Sequence, residues 1–224
     1  MKPQSTYLLK IVLGVLFMLG AYCAGCGRID LWPGWCYAAF FLVMFLASFR
    51  IALRVAPDLI VARVSWDAGA KRWDQPIVTF LMLGPIVTCL VAGLDARHNG
   101  LRAADFRVAL GYVLAVAGSA LTQSAVAVNR FYAPVMRIQK ERGHTVVDTG
   151  PYRLVRHPGN MGNVILNAAA PLMLASDWAW IPAATLIVVT IVRTMLEDRA
   201  LCQELPGYAA FAGRTRSRLI PGIW

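Results

Sequence analysis

Gly150-Pro-Tyr-Arg-Leu-Val-Arg-His-Pro-Gly-Asn-Met-Gly162 sets a histidine, two arginines and a flexible backbone between two long apolar stretches. Packing alone gives a membrane-edge helix no reason to carry so polar a segment. A water-soluble cofactor and a lipid-soluble substrate can meet at such a place. His157 precedes Pro158, and a proline at the first helical position leaves the next backbone N–H groups, from Gly159 onward, without intrahelical partners. Such a turn suits an anion or the polar edge of a ligand. It is equally consistent with a histidine capping a membrane helix at the interface.

Arg193 and Glu197 are four residues apart and share one helix face. They read as an exposed ion pair worth under about 1 kcal/mol, or as two halves of a site. In the second reading the Arg193 fork takes a carboxylate in a two-point grip. Glu197 takes an ammonium or a ribose diol, with Asp198 adding to the local acidity. His144 and Tyr152 flank the Asp148-Thr149-Gly150-Pro151 turn. Two histidines, a tyrosine, a glutamate and two arginines on neighbouring polar segments are harder to dismiss than any one of them. The two histidines lack a third metal ligand at helical spacing. No serine or cysteine has a partner at a recognisable triad spacing, and there is no P-loop, no strand-linked Gly-x-Gly-x-x-Gly and no convincing strand.

The elements that must hold these residues are apolar. The chain is 58% hydrophobic and 15% charged, with a mean hydropathy of +0.56. A soluble domain carries about 25% charged residues, so the deficit points to a membrane. Residues 11–27, 31–49, 75–94, 108–128 and 158–176 contain no Asp, Glu, Lys or Arg, and a shorter run at 178–192 ends at Arg193, which can snorkel. The pattern predicts an all-α integral membrane bundle of about six transmembrane helices. The last two form a hairpin turning at Ser176-Asp177-Trp178.

Of the 22 Lys and Arg, 18 fall on one side of this topology, which puts both termini in the cytoplasm. Arg28, Arg97, Arg102 and Arg107 lie on the other side, where Trp32, Trp35, Trp178 and Trp180 would form an aromatic belt. The net charge of +10 is assigned to contacts with anionic lipid headgroups, and nucleic acid is not expected as a partner. Lys2, Lys10 and the run after them resemble a signal peptide. They are assigned to the first membrane helix. Cys23-Ala-Gly-Cys26 has redox or metal spacing but no second pair. Small buried cysteines, or a disulfide among Cys23, Cys26 and Cys36, are the two readings kept.

One domain, 1–224, is expected: a four-helix membrane part over 1–128 and a catalytic, cofactor-binding half over 129–224. The loop at 54–74 reads as amphipathic and membrane-lying. Arg130 to Arg142 can continue the fourth helix until Gly143, and Gly150-Pro151 marks a turn. Arg193 to Leu205 extends the sixth helix, Pro206-Gly207 interrupts it, and Tyr208 to Arg218 forms a short basic helix. Gln123, Ser124 and Asn167 line a groove or link helices at about 0.6 kcal/mol each.

The C-terminal half then resembles a known family. Gln139…His144-Thr-Val-Val147…Gly150-x-Tyr152…Arg156-His157-Pro158…Gly162, followed by Arg193-x-x-x-Glu197 and Arg218-Leu-Ile-Pro221, is similar to the isoprenylcysteine carboxyl methyltransferases over about residues 129–224. Ala-Lys-Arg-Trp-Asp74 resembles bacterial members, which implies a bacterial inner membrane. The resemblance implies an integral membrane enzyme using S-adenosyl-L-methionine. It assigns cofactor contacts to Gln139, His144, Thr145, Val146, Val147, Tyr152, His157, Pro158, Gly159, Asn160 and Glu197, and the substrate contact to Arg193. Asn160 departs from the family's frequent tyrosine and Asp198 from its frequent second glutamate.

The implied chemistry is methyl transfer to a lipophilic small molecule or lipid-modified substrate. A carboxylate acceptor, with a pKa near 4, is ionised at neutral pH and needs no general base. An amine acceptor, such as a phospholipid amine, must lose a proton, with His144 or His157 as the base. A sterol-reductase-like enzyme using nicotinamide is the second enzymatic reading. A transporter or scaffold would show broken or charged helices near the midplane, and the first four runs show none.

Overall fold

The computed structural model describes residues 3–55, 60, 69–102 and 105–224. Among these residues there are seven α-helices and no strand. They are α1 (Pro3–Cys26), α2 (Trp32–Val55), α3 (Asp74–Asn99), α4 (Phe106–Val128), α5 (Pro158–Met173), α6 (Trp180–Glu204) and α7 (Tyr208–Arg214). Most of the amphipathic segment expected over 54–74 lies outside the described residues.

The five helices α1 to α4 and α6 are long and apolar enough to cross a membrane. The count expected from the sequence was six. The run 158–176 forms α5, a helix of 16 residues. At 1.5 Å per residue it is about 24 Å long, short of a hydrocarbon core of about 30 Å. It packs along α4, its main partner, and also against α6. Absence of charge marks a segment as apolar but not where its helix stops. Here α5 gives way to a turn in which Ala175 has φ 51. The turn is pinned by buried Asp95, which accepts from Ser176 Oγ at 2.7 Å and from the Trp178 N–H at 3.2 Å.

The α4–α5 contact is close enough to require glycine. A Cβ on Gly162 would sit 2.1 Å from Thr122 Oγ1 and 2.5 Å from the Gly118 carbonyl. Small residues at a helix crossing let backbones approach where lipid supplies no hydrophobic drive. α1 packs on α3, and α2 lies beside α1 and α4. Gln123 links two helices, its Nε2 donating to the Met44 carbonyl at 3.1 Å, whereas Ser124 and Asn167 bond within their own helices. All five cysteines are free, so the disulfide reading is set aside.

The fourth helix does not run on to Arg142. It ends at Val128, and Asn129 is extended at φ −109, ψ 96. Asn129 Oδ1 accepts the Phe131 N–H at 2.8 Å, turning the chain away from the helix axis. Pro134 then disfavours helix in the residue before it. A 3-10 turn at Lys140–Arg142 ends at Gly143, φ 61, and a second occupies Gly150–Arg153. Beyond α6, the chain breaks at Leu205 as the Pro206-Gly207 pair predicts. α7 stops at Arg214, four residues earlier than expected.

Candidate functional site

Two adjacent carboxylates on α6 organise the polar end of the molecule. Asp198 is 3% exposed and receives five donors. Its Oδ1 accepts Arg156 Nε at 2.8 Å and the Tyr208 hydroxyl at 3.1 Å, with His157 Nε2 also at 3.1 Å. Its Oδ2 accepts Arg156 Nη2 at 2.9 Å and Arg218 Nε at 2.8 Å. Burial, and then the Asp198 charge, push the Tyr208 phenol well above its ordinary value, so it stays a hydroxyl donor.

Arg156 Nη1 also caps the end of α7, donating to the carbonyls of Thr215 and Arg216 at 2.9 Å. The N–H groups of Arg156 and His157 donate to Ser217 O and Arg218 O. The C-terminal segment is thereby stitched to the residues that open α5.

Glu197, one residue earlier, faces a different neighbourhood. Its Oε2 accepts Asn160 Nδ2 at 3.0 Å, lies 3.6 Å from Arg193 Nη1 and 4.0 Å from His157 Nδ1. Its side chain keeps 22% exposure. Asn160 Nδ2 also donates to Thr194 Oγ1 at 3.1 Å. The structure therefore brings His157, Asn160, Arg193 and Glu197 together. α5 begins at Pro158 with no side-chain cap, and the N–H groups of Gly159 and Asn160 have no partner among the described residues. A Cβ on Gly159 would lie 2.4 Å from the Tyr132 hydroxyl, so any larger residue there would have to displace that ring.

Arg193 is held differently from the expectation of a free fork. Its Nε and Nη2 bind Asp74 at 2.7 and 3.0 Å, and Nη2 also donates to the Pro134 carbonyl at 3.1 Å. The two-point edge is taken by the protein itself. The edge on the Glu197 side is Nη1.

Gln139 and His144 form a second group. Gln139 is 1% exposed; its Nε2 donates to Phe131 O at 2.7 Å and its Oε1 accepts Arg142 Nη1 at 2.5 Å. The Gln139 N–H points at His144 Nδ1, 3.3 Å away, and the Phe131 ring stacks on the imidazole at 4.5 Å. Burial, and then the Arg142 cation, lower the His144 pKa, which favours the neutral ring whose Nδ1 can accept. Thr145 is exposed, while Val146 and Val147 pack against Tyr152, Leu205, Tyr208 and Phe211. The Tyr152 hydroxyl accepts Asn129 Nδ2 at 2.9 Å. Burial pushes this phenol far above its ordinary value.

Sequence reasoning missed Asp74, Asn129, Tyr132 and Tyr208, and did not foresee that Arg156 and Arg218 converge on Asp198. Asp74 closes the Ala-Lys-Arg-Trp-Asp segment and Arg218 opens Arg-Leu-Ile-Pro, so both stood in singled-out strings. No local spacing announces partners 119 or 20 residues away. A separate groove lined by Arg102, Asp105, Arg107, Asp177 and Trp180 lies at the opposite end of the bundle. Its cations are matched, Arg102 by Asp177 and Arg107 by Asp105.

Fold and site together define a multi-pass helical membrane protein whose polar centre lies at one end of α5 and α6. Residues 111–203 match the model of the Isoprenylcysteine carboxyl methyltransferase (ICMT) family. That match implies methyltransferase chemistry on a lipophilic acceptor. No curated protein matches the chain.

Proposed function

We propose that the protein transfers the methyl group of S-adenosyl-L-methionine to a lipophilic carboxylate, with both chain termini in the cytoplasm of a bacterial cell and the site facing the cytosol. The reading rests on one observation: Glu197 gathers Asn160, Arg193 and His157 beneath an uncapped helix start. All four residues lie inside the family-matched segment.

The residues present fit such a cofactor. The unpartnered N–H groups of Gly159 and Asn160 suit a carboxylate, and the partly exposed Glu197 suits an ammonium or a ribose diol. Gln139, His144 to Val147, Tyr152 and the His157-Pro158 turn would complete the binding wall. The bound cofactor supplies an already activated sulfonium methyl, so the chain's own work is alignment and exclusion of water. Arg193 Nη1 orients the acceptor. Asp198 acts on the site through His157 and Arg156, fixing the turn that opens α5. The lipid part of the acceptor enters sideways between helices, beside membrane lipids. The chain's 129–224 half is the catalytic part of a single domain.

A second reading, methylation of a phospholipid amine, draws on His157. Asp198 and Tyr208 hold its Nε2 and leave Nδ1 on the Glu197 side, where it can take a proton. Methyl-tritiated S-adenosylmethionine incubated with the purified protein and bacterial lipid extract separates the two. A methyl ester releases its label as methanol in base, and a methylamine does not. Base-labile label is expected; base-stable label in the lipid fraction would give the amine reading precedence.

A further inference from the structure

The Asp74–Arg193 pair joins the part of the chain outside the matched stretch to the centre of the site. Asp74 is fully buried in the first turn of α3, yet its carboxylate serves α6 and the segment after α4. Its oxygens take Arg193 Nε at 2.7 Å, Arg193 Nη2 at 3.0 Å and the Met136 N–H at 2.5 Å. The backbone around it is docked as well. The Lys71 N–H donates to Met136 O at 2.9 Å, and Lys71 Nζ meets Glu204 at 2.6 Å. A carboxylate at a helix start gains from the dipole without any arginine. A bidentate arginine from a helix 119 residues away is therefore a separate requirement.

A planar guanidinium clamped along one edge cannot turn about its own axis. With Asp74 on Nε and Nη2 and Pro134 O on Nη2, the remaining edge, Nη1, is fixed on the Glu197 side, 3.6 Å from its carboxylate.

We propose that Asp74 is a positioning residue that aims Arg193 Nη1 at the methyl acceptor, so that the first half of the chain completes the site. The proposal rests on the methyltransferase reading above. It also makes the acceptor contact a single-nitrogen one. The two-point grip foreseen from the sequence is spent on Asp74.

The test uses the full-length protein in detergent, with N-acetyl-S-farnesylcysteine as acceptor probe and S-adenosylhomocysteine as cofactor probe. Asp74→Asn loses the charge and sets an amide N–H against a donor. It should lower kcat/KM for the acceptor about 100-fold while the Kd for S-adenosylhomocysteine moves less than threefold. Asp74→Glu restores the carboxylate and should recover about tenfold of that loss. A merely structural role predicts that cofactor affinity and turnover fall together, with no recovery beyond the gain in folded protein.

If Asp74→Asn does not fold, Asp74→Glu is compared with wild type alone. A turnover about tenfold down at unchanged cofactor affinity supports the assignment, and wild-type turnover overturns it. Wild-type protein that folds but binds no S-adenosylhomocysteine defeats the methyltransferase reading itself. An active wild type beside an equally active Asp74→Asn defeats only the role of Asp74.

Discussion

Asp198 and Glu197 are neighbours on α6, but their surroundings are unlike. Asp198 is met by donors from Arg156, His157, Tyr208 and Arg218, and no further lone pair is open. Glu197 accepts one side-chain hydrogen bond, from Asn160, and its cationic neighbours stand off at 3.6 and 4.0 Å. A saturated buried carboxylate is a clamp for the chain segments around it. A carboxylate with spare acceptor capacity, partly open to solvent, is one that can exchange water for a ligand. The same contrast separates the two edges of Arg193: one is filled by Asp74, and the other faces Glu197.

Removing the clamp should have the largest effect. Asp198→Ala leaves Arg156, itself 7% exposed, without its counter-charge. Breaking a buried pair by removing one partner costs about 3–5 kcal/mol. Thermal unfolding in detergent should show Asp198→Ala unfolded or strongly destabilised; a melting temperature like that of wild type would deny Asp198 its structural role.

Forcing α4 and α5 apart comes next. Gly162→Ala drives a methyl into Thr122 Oγ1 and the Gly118 carbonyl, and overpacking of this kind costs about 1–3 kcal/mol. The same melts should show an intermediate loss, and because α5 carries Asn160 it should weaken S-adenosylhomocysteine binding too. Unchanged cofactor affinity in a destabilised protein would mean that the α4–α5 contact does not position the site.

The smallest effect is a pH dependence. The folded His144 pKa lies below the ordinary 6.5. As pH falls through that ordinary value, the unfolded chain takes up the proton first, so stability is full above it and declines towards the lower folded pKa. One such group can change stability by at most about 1.4 kcal/mol per pH unit, and partial exposure of the ring reduces this. His144→Gln should flatten the decline in melting temperature between neutral pH and pH 5. An identical slope in wild type and variant would remove His144 from the account.

What the sequence made legible follows from which interactions are local. Uncharged runs marked the four first helices and α6, because spanning length and the absence of charge are properties of a single segment. Glu197 and Arg193 were visible as a pair because a helix repeats every three to four residues. The shortness of α5 was not visible, since its uncharged run continues through the turn that Asp95 pins from another helix. The helix expected to continue from Arg130 fails on a local signal that the sequence carries, Pro134. The Asp74–Arg193 and Asp198–Arg218 pairs were invisible for another reason: their partners meet only once the bundle has formed.

The contrast between the two carboxylates is tested most directly by calorimetric titration of the purified protein with S-adenosylhomocysteine, wild type beside Glu197→Ala. Micromolar binding by wild type, at least tenfold weaker in a Glu197→Ala protein that melts within a few degrees of it, is the expected result. Equal affinity in the two proteins, or no heat of binding from well-folded wild type, would contradict the assignment of Glu197 to the cofactor.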